Sequence, residues 1–559
     1  MSRRQLLGAG SSGLASAGLA ACGRTTKGAP PGPSAPGQAS QGAPVPGGTL
    51  NVYYNYNAPL DPQQTSGAVH EFTSGVYSRV FRFKTAPDPQ VSLDHVLEND
   101  LGLKAETPDG VTWTITLRAD ARFTNIPPVN GHAVEAEDVK ATFTRAVDPA
   151  IPNPNRGQLD MIDPAQIQAP NATTVVFKLK YPYSPFNRTL ASPNYPLVLP
   201  RESLGGGYDL QKVAIGSGPF TLESAVPDVA YTYKKNPGYY EKTIPNVDTM
   251  RIAIIPETSQ QLAQFTAGNL DELTLDSPFT LDQARKSNPQ ATLVRFPYGT
   301  TWSVYMQQAD PTSLFRDVRV RRALNMAIDR DTLGKAIYND EAATCWLIPS
   351  YMGKWSIQTK DLPPEIRQYY TYNPSEAKKL LDAAGASGMP FKLVYQNREG
   401  TPAFVKQIES VSNMLNAVGI KTNVVVVDYT KEWIAGGKGY NAGYYPKDTL
   451  LYSGISSFTE ADEFLYLTLH SKSTQSHMTV KDPAIDAMID KERATLDDGE
   501  RLKSVLSTLT YAANQAYYVP TVGDGVTDTF IQPRVHGYQP ANSASGKVTE
   551  MYAKLWLSA

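Results

Sequence analysis

The stretch from Pro108 to Pro149 constrains the fold more than any other part of the chain. Between Val111 and Leu117, β-branched and aromatic residues alternate with period two after an Asp-Gly turn, which is the pattern of a half-buried strand. A loop punctuated by proline and glycine follows. Acidic residues then precede Val139, Phe143 and Val147, which are spaced four apart as on one face of a helix. The sequence therefore predicts a strand, a loop and a helix in this order.

Length and charge limit the classes of protein to consider. A chain of 559 residues with 41% hydrophobic residues is long enough to bury two or three cores. The 52 basic residues nearly balance the 54 acidic ones, so the formal net charge of −2 predicts neither nucleic-acid binding nor attraction to an acidic membrane surface. The chain has two cysteines, Cys22 and Cys345, and we expect no disulfide within the folded part.

The N-terminus predicts export and attachment to a membrane. Arg3-Arg4 and the mildly apolar run after them resemble a twin-arginine signal, and the run ends in a lipobox-like Leu19-Ala20-Ala21-Cys22. We therefore predict a signal peptide over 1–21 and a diacylglycerol on the thiol of Cys22. The alternative is a chance cysteine near an apolar start. The rest of 22–48 is rich in Gly, Pro, Ala and Ser, which predicts a flexible tether.

Several motifs occur in a fixed order along the chain. They are the strand-to-helix stretch above, the opening GGTLNVYY, the IGSGPF and NPGYY pair, DVRVRRALNMAIDRD, and NPSEAKKLLDAAG. In their residues and in their order along the chain, these motifs resemble those of the family 5 extracellular solute-binding proteins of ABC importers, the oligopeptide and dipeptide receptors. One departure lies at Glu135, where the family usually has a threonine at the helix start.

The resemblance implies an α/β fold with two lobes, the type II periplasmic-binding-protein-like arrangement of cluster C, with an extra subdomain in the N-terminal lobe. The large lobe is expected to comprise 49–85, 205–295 and 515–559. The inserted subdomain is expected over 86–204, and the second lobe over 296–514.

No sequence motif favours an enzyme. Ser217 lies between two glycines, but Ile215 stands where a nucleophile elbow requires glycine, and His95 and His132 lack a second ligand at metal-binding spacing. We expect no catalytic residue, metal or cofactor. Gly216 and Gly218 predict a kink with φ values that only glycine tolerates.

Eleven residues are expected to line the ligand cleft because of their family position and side-chain chemistry. They are Tyr54, Asn55, Tyr56, Trp302, Tyr305, Asn397, Trp433, Tyr452, Ser457, Glu460 and Asp462. In peptide receptors of the family, an aspartate in the segment equivalent to 450–469 can bind the ligand's α-ammonium. Here that aspartate falls on Ser457 or Phe458. Glu460 and Asp462 are candidates to replace it, and they are equally typical of acids at a helix start.

The resemblance implies a lipid-anchored, monomeric receptor outside the cytoplasmic membrane. It would capture a peptide or peptide-like solute between its lobes and deliver it to an ABC permease. The alternative is a receptor of the same fold for a non-peptide solute such as a metal chelate or a sugar. An enzyme or a purely structural surface protein is the third hypothesis.

Overall fold

The computed structural model describes most of the chain after the tether. The described residues are 43–57, 59–64, 70–153, 155–275, 278–298, 301–338, 346–397, 402–435, 438–455, 458–473, 477–523, 525–540 and 549–558. The predictions for the signal peptide, Cys22, Cys345 and Ser457 lie outside these residues. Within them, no helix is long and apolar enough to cross a membrane.

The strands are short and spread over the whole described chain. In chain order they are β1 Thr49–Tyr54, β2 Phe81–Phe83, β3 Leu97–Asn99, β4 Gly102–Glu106, β5 Thr112–Leu117, β6 Ile167–Asn171, β7 Thr174–Lys178, β8 Phe220–Val226, β9 Ala230–Lys235, β10 Thr249–Ile254, β11 Glu272–Leu275, β12 Thr292–Tyr298, β13 Thr301–Met306, β14 Pro390–Gln396, β15 Lys421–Val427, β16 Thr449–Ile455, β17 Val519–Val522, β18 Gly525–Ile531, β19 Val535–His536 and β20 Trp556–Leu557.

The longer α-helices lie mostly in the second half. In chain order the helices are α1 His70–Thr73, α2 Pro89–Leu93, α3 Ala136–Val147, α4 Phe186–Thr189, α5 Thr258–Thr266, α6 Pro278–Ser287, α7 Val318–Ala327, α8 Arg330–Tyr338, α9 Pro364–Arg367, α10 Pro374–Ala383, α11 Pro402–Ala417, α12 Ala461–Leu469, α13 Pro483–Ala494 and α14 Asp498–Gln515.

The first lobe, as we use the term, is the part built on two sheets with strand orders β1-β10-β9-β8 and β11-β18-β12. β1 and β10 run parallel, and the other pairs in both sheets are antiparallel. Inward-facing residues such as Leu50, Val52 and Ile252 form a buried core with Phe72 of α1 and Tyr233 of β9.

The insert, as we use the term, is the antiparallel sheet β4-β5-β7-β6 with α3 and α4. It confirms the predicted strand, loop and helix: β5 alternates buried and less buried residues, and Val139 and Phe143 of α3 are buried in the same core as Ile115. The departure at Glu135 changes the start of α3 only locally. The Asp138 carboxylate accepts a hydrogen bond from the Glu135 N–H at 2.8 Å, and Glu135 pairs with Arg201 at 2.9 Å.

The second lobe, as we use the term, is the part built on the sheet with strand order β15-β14-β16-β13-β17. Apolar cores cover both faces. One contains Val304, Leu324 and Leu415, and the other contains Tyr305 and Leu465. β17 pairs with β13, so Val519–Val522 belongs to this sheet, although the predicted boundary assigned residues after 514 to the large lobe. The chain rejoins a first-lobe sheet with β18.

The glycines around Ser217 serve a different purpose from the one predicted. Neither Gly216 nor Gly218 has a positive φ, so the expectation of glycine-only dihedral angles was wrong. A Cβ at Gly216 would instead lie 2.0 Å from the backbone oxygen of Val76, and a Cβ at Gly218 would lie 2.7 Å from that of Gly75. The physical reason for glycine here is close backbone approach.

Candidate functional site

Several of the predicted site residues lie at one edge of the second-lobe sheet. β14 runs parallel to both β15 and β16, so the carboxyl ends of these three strands meet at one edge. β13 is antiparallel to β16, and its second residue, Trp302, lies opposite Gly454 near the end of β16. Ligands of open α/β sheets bind outside the carboxyl ends of parallel strands, so this edge is the candidate site.

Asn397, Trp433 and Trp302 lie around this edge. The side-chain oxygen of Asn397 accepts a hydrogen bond from the Tyr429 N–H at 3.0 Å, which links the loops after β14 and β15. Trp433 lies in a π-helical turn after β15 and stacks on Tyr440 with ring centroids 6.3 Å apart. Trp302 is half-buried, and its ring centroid lies 4.6 Å from that of Phe404.

Tyr305 and Tyr452 lie inside the sheet and on its opposite faces. Both are fully buried. The Tyr452 hydroxyl lies 2.6 Å from Gln407 Nε2 and 2.8 Å from Thr521 Oγ1. The Tyr305 ring packs beside His477, with centroids 5.3 Å apart. Their contact with a ligand stays a prediction, since the structure places them within the cores rather than at the edge.

Tyr54, Asn55 and Tyr56 lie at the carboxyl end of β1, in the first lobe. Tyr54 is buried, with its ring centroid 4.6 Å from that of Phe72. Asn55 is exposed, and Tyr56 is half-buried. β1 runs parallel to β10, so this position is also the carboxyl end of a parallel pair. Their role likewise stays a prediction.

Glu460 is the N-cap residue of α12, and its carboxylate lies between two arginines. Oε2 is 2.6 Å from Arg188 Nε, and Oε1 contacts Arg501 Nη2. Burial alone would raise the pKa of Glu460, but the positive charges of Arg501 and Arg188 outweigh burial and lower its pKa to about 2. Glu460 is therefore an ionised carboxylate that already has two cationic partners.

The neighbouring acids are also buried and engaged. Asp462 Oδ1 lies 3.1 Å from Arg493 Nε. Glu463 accepts hydrogen bonds from the backbone N–H groups of Thr459 and Glu460 at 3.0 and 3.1 Å, and burial raises its pKa to about 8. Burial also raises the pKa of Glu492 well above its usual value, although Arg501 opposes this.

These contacts join the second lobe to the insert. Arg188 belongs to α4 of the insert, whereas Glu460 and Arg501 belong to the second lobe. Thr459 Oγ1 donates to Ser192 Oγ at 3.1 Å, and the Ser184 N–H donates to the Arg493 carbonyl at 2.7 Å. Tyr466 of α12 donates to Asp160 at 3.2 Å.

Sequence reasoning identified the two acids at the start of α12 but missed their partners, Arg188, Arg493 and Arg501. The cluster of acids in TEADEF was the available signal, since several buried acids require counter-ions. Nothing local to the sequence pairs Glu460 with an arginine of the insert.

One group in the described residues has the composition of a metal site. Single ligand atoms of His132, Asp138 and Glu202 all lie within 4.8 Å of one another. Both oxygens of Asp138 accept backbone hydrogen bonds, from Glu135 and from Arg201, and the Arg201 guanidinium lies 3.8 Å away. Asp138 therefore has the Arg201 guanidinium as a cationic neighbour and belongs to the capping box at the start of α3.

Comparison with known proteins gives a consistent family. Residues 97–476 match the model of the bacterial extracellular solute-binding proteins, family 5. The chain is 27% identical to the di/tripeptide-binding protein 2 of Pseudomonas aeruginosa over 419 residues, which cover 70% of this chain and 75% of that protein.

Two solved structures show the same fold. The periplasmic binding protein DppA of Helicobacter pylori, in complex with the peptide STSA, superposes with a TM-score of 0.75 at 21% identity, covering 92% of this chain and 99% of that one. AgaA of A. tumefacien R10, in complex with agropinic acid, gives a TM-score of 0.74 at 20% identity, with coverage of 92% and 99%. Because the family model matches more than half of the chain, this protein belongs to the family 5 extracellular solute-binding proteins of ABC importers.

Proposed function

We propose that this protein is an extracytoplasmic receptor that captures a peptide or peptide-like solute between its two lobes and delivers it to an ABC permease. The observation that carries the proposal is the candidate edge itself. Trp302, Asn397 and the start of α12 meet at the carboxyl ends of parallel strands, and the insert approaches the same place through Arg188. The similarity to di/tripeptide-binding protein 2 supports a peptide as the solute.

The mechanism follows from the two-lobed fold. A solute that touches both lobes favours the state in which they meet, by its difference in affinity for that state and the open one. Aromatic and amide side chains at the edge, such as Trp302 and Asn397, suit the apolar surface and the backbone groups of a short peptide. The receptor in which the lobes meet would then be the form that docks on the permease.

We propose further that Cys22 carries the lipid that holds the receptor at the outer face of the cytoplasmic membrane. A thioether-linked diacylglycerol supplies two acyl chains, which is enough for stable anchoring. The residues from 23 to 48 would act as the tether between the lipid and the folded part.

Native mass spectrometry tests the solute class. A chain starting at residue 23, purified from the cells that naturally make it, would be sprayed intact, and whatever is released on denaturation would be identified. A series of peptide masses is the expected result. One discrete non-peptide mass would overturn the peptide assignment and leave the family and fold unchanged.

A non-peptide solute is the second candidate. AgaA has the same fold and binds agropinic acid, so the fold accommodates solutes other than peptides. The two acids that could replace the missing aspartate, Glu460 and Asp462, both have arginine partners here. Because these carboxylates already have arginine partners, the structure gives less support to a peptide that binds through its free amino terminus.

A further inference from the structure

The strongest unexplained feature is a group of buried charges where the insert meets the second lobe. We call it the interlobe charge cluster. Its members are Asp160, Arg188, Glu460, Asp462, Glu463, Glu492, Arg493 and Arg501. The side chains of Glu460, Asp462, Glu492 and Arg501 are at most 4% exposed. Charges this deeply buried are costly unless they are balanced.

The arginines and acids of the cluster are partners of one another. Arg188 and Arg501 both contact Glu460, and Arg501 also lies 3.0 Å from Glu492. Arg493 lies 3.1 Å from Asp462 and 3.9 Å from Asp160. A cationic group of a solute would therefore meet a Glu460 carboxylate that already has two guanidinium partners.

Arg188 and Asp160 are the members whose contacts depend on the arrangement of the lobes, and Arg188 is the one that contacts Glu460. Arg493 and Arg501 come from the same lobe as Glu460 and Asp462, whereas Arg188 comes from the insert. Its Nε lies 2.6 Å from Glu460 Oε2, and its side chain is 19% exposed. If the lobes separated, Glu460 would keep Arg501 and lose Arg188.

We propose that the Arg188–Glu460 pair is an interlobe lock, which favours the state in which the lobes meet through a contact of the protein itself, and that it makes this end of the cleft reject cationic solute groups. The proposal rests on the proposed function, since it narrows the solute class to molecules that place no cationic group at Glu460. Arg188 fills the place that a ligand ammonium would need.

Two variants with a matched control test the lock. Arg188→Met removes the charge, and Arg188→Lys keeps it. Arg201→Met is the control, because Arg201 pairs at 2.9 Å with Glu135, so its removal breaks no contact between the lobes. The interlobe distance would be measured between two spin labels, without solute, by pulsed electron paramagnetic resonance. The spin labels would replace the exposed Glu137 on α3 and Lys379 on α10, in chains starting at residue 23 with Cys345 replaced by serine.

We expect Arg188→Met to shift the distance distribution to longer distances, and Arg188→Lys and Arg201→Met to leave it as in the wild type. An unchanged distribution in Arg188→Met would overturn the lock. Far-ultraviolet circular dichroism and the urea midpoint of each variant would show whether an altered distribution reflects separated lobes or partial unfolding. Partial unfolding of Arg188→Met alone would also count against the lock.

Calorimetry with trialanine and N-acetyl-trialanine tests the selection against cationic groups, because only trialanine has a charged amino terminus. The wild type should bind N-acetyl-trialanine at least as tightly as trialanine. In Arg188→Met, the affinity for trialanine should rise by about tenfold relative to the affinity for N-acetyl-trialanine. A wild-type preference of tenfold or more for the free amine would overturn the selection. If neither peptide binds the wild type, the peptide assignment fails, and the distance measurement alone decides the lock.

Discussion

His95 shows how a single residue reports on the contact between the lobes. It is 2% exposed, and its ring centroid lies 6.2 Å from that of Tyr351 in the second lobe. Nδ1 lies 2.9 Å from the carbonyl of Leu93, so this nitrogen carries the proton of the neutral ring. Burial, aided by the positive charge of Arg188, lowers the pKa of His95 to about 4.

This pKa predicts an acid-sensitive stability. An unfolded histidine takes up a proton near pH 6.5, but native His95 does so only near pH 4. Between these values the unfolded state binds more protons, so the free energy of unfolding falls as the pH decreases, by about 3 kcal/mol for this group. Asparagine tolerates the φ of 48° at this position and does not titrate. The wild type should therefore lose more stability than His95→Asn between pH 7 and pH 4.

Urea unfolding at pH 7, 5.5 and 4.5 measures this difference. His477, whose pKa burial also lowers to about 4, contributes equally to both proteins, so the comparison isolates His95. The prediction would be contradicted if the free energy of unfolding fell by the same amount in both proteins as the pH decreases.

Gly216 gives a second prediction at the scale of a residue. A Cβ there would lie 2.0 Å from the Val76 oxygen, and the clash is with backbone rather than with a flexible side chain. Gly216→Ala should lower the free energy of unfolding by about 3 kcal/mol, a typical value for overpacking. Gly205→Ala is the control, since no atom lies within 4 Å of the added methyl group. Equal urea midpoints for the two variants would refute the role given to Gly216.

At the scale of elements, α12, α13 and α14 hold the interlobe charge cluster together. Arg501 of α14 reaches Glu460 at the start of α12 and Glu492 of α13, with 3.0 Å between its Nε and Glu492 Oε2. Its guanidinium also lies over the ring of Trp355, 5.0 Å from the centroid. One buried arginine therefore joins three helices.

Removing this arginine should be costly. Arg501→Met leaves the Glu460 carboxylate buried with only Arg188 as a cationic partner, and breaking a buried pair in this way typically costs about 3–5 kcal/mol. Lys503→Met on the same helix is the matched control, because the Lys503–Glu500 pair is exposed to solvent and its loss should leave stability unchanged. Chemical denaturation of both variants measures the contrast. A small effect of Arg501→Met would show that the helices are held by apolar packing alone.

At the scale of the whole molecule, a solute that binds between the lobes stabilises the native state by linkage. At a hundredfold excess over its dissociation constant, the solute recovered from the protein should raise the free energy of unfolding by about 2.7 kcal/mol. Urea titrations with and without the solute measure this increase, and a compound of similar size that is absent from the released fraction is the control. An unchanged midpoint would show that the recovered compound was bound only incidentally.

The sequence predicted individual elements well where the pattern was local. The alternation before Leu117 and the acidic start of α3 are properties of neighbouring residues, and the structure has β5 and α3 there. Asn397 and Trp433 were chosen by family position and side-chain chemistry, and the structure has them after the parallel strands β14 and β15. Tyr305 and Tyr452 were assigned to the same cleft, but period-two geometry puts them on opposite faces of the sheet.

The sequence by itself indicated the family and its α/β class through the resemblance of its motifs, and it predicted elements such as β5 and α3, because periodicity and caps are properties of short stretches of chain. Only the tertiary structure decided how the acids at the start of α12 are used. Arg188 and Glu460 are far apart in the chain, and their pairing depends on how two separately built cores face each other. Buried charges select partners by distance in space, and no local pattern of residues encodes that distance.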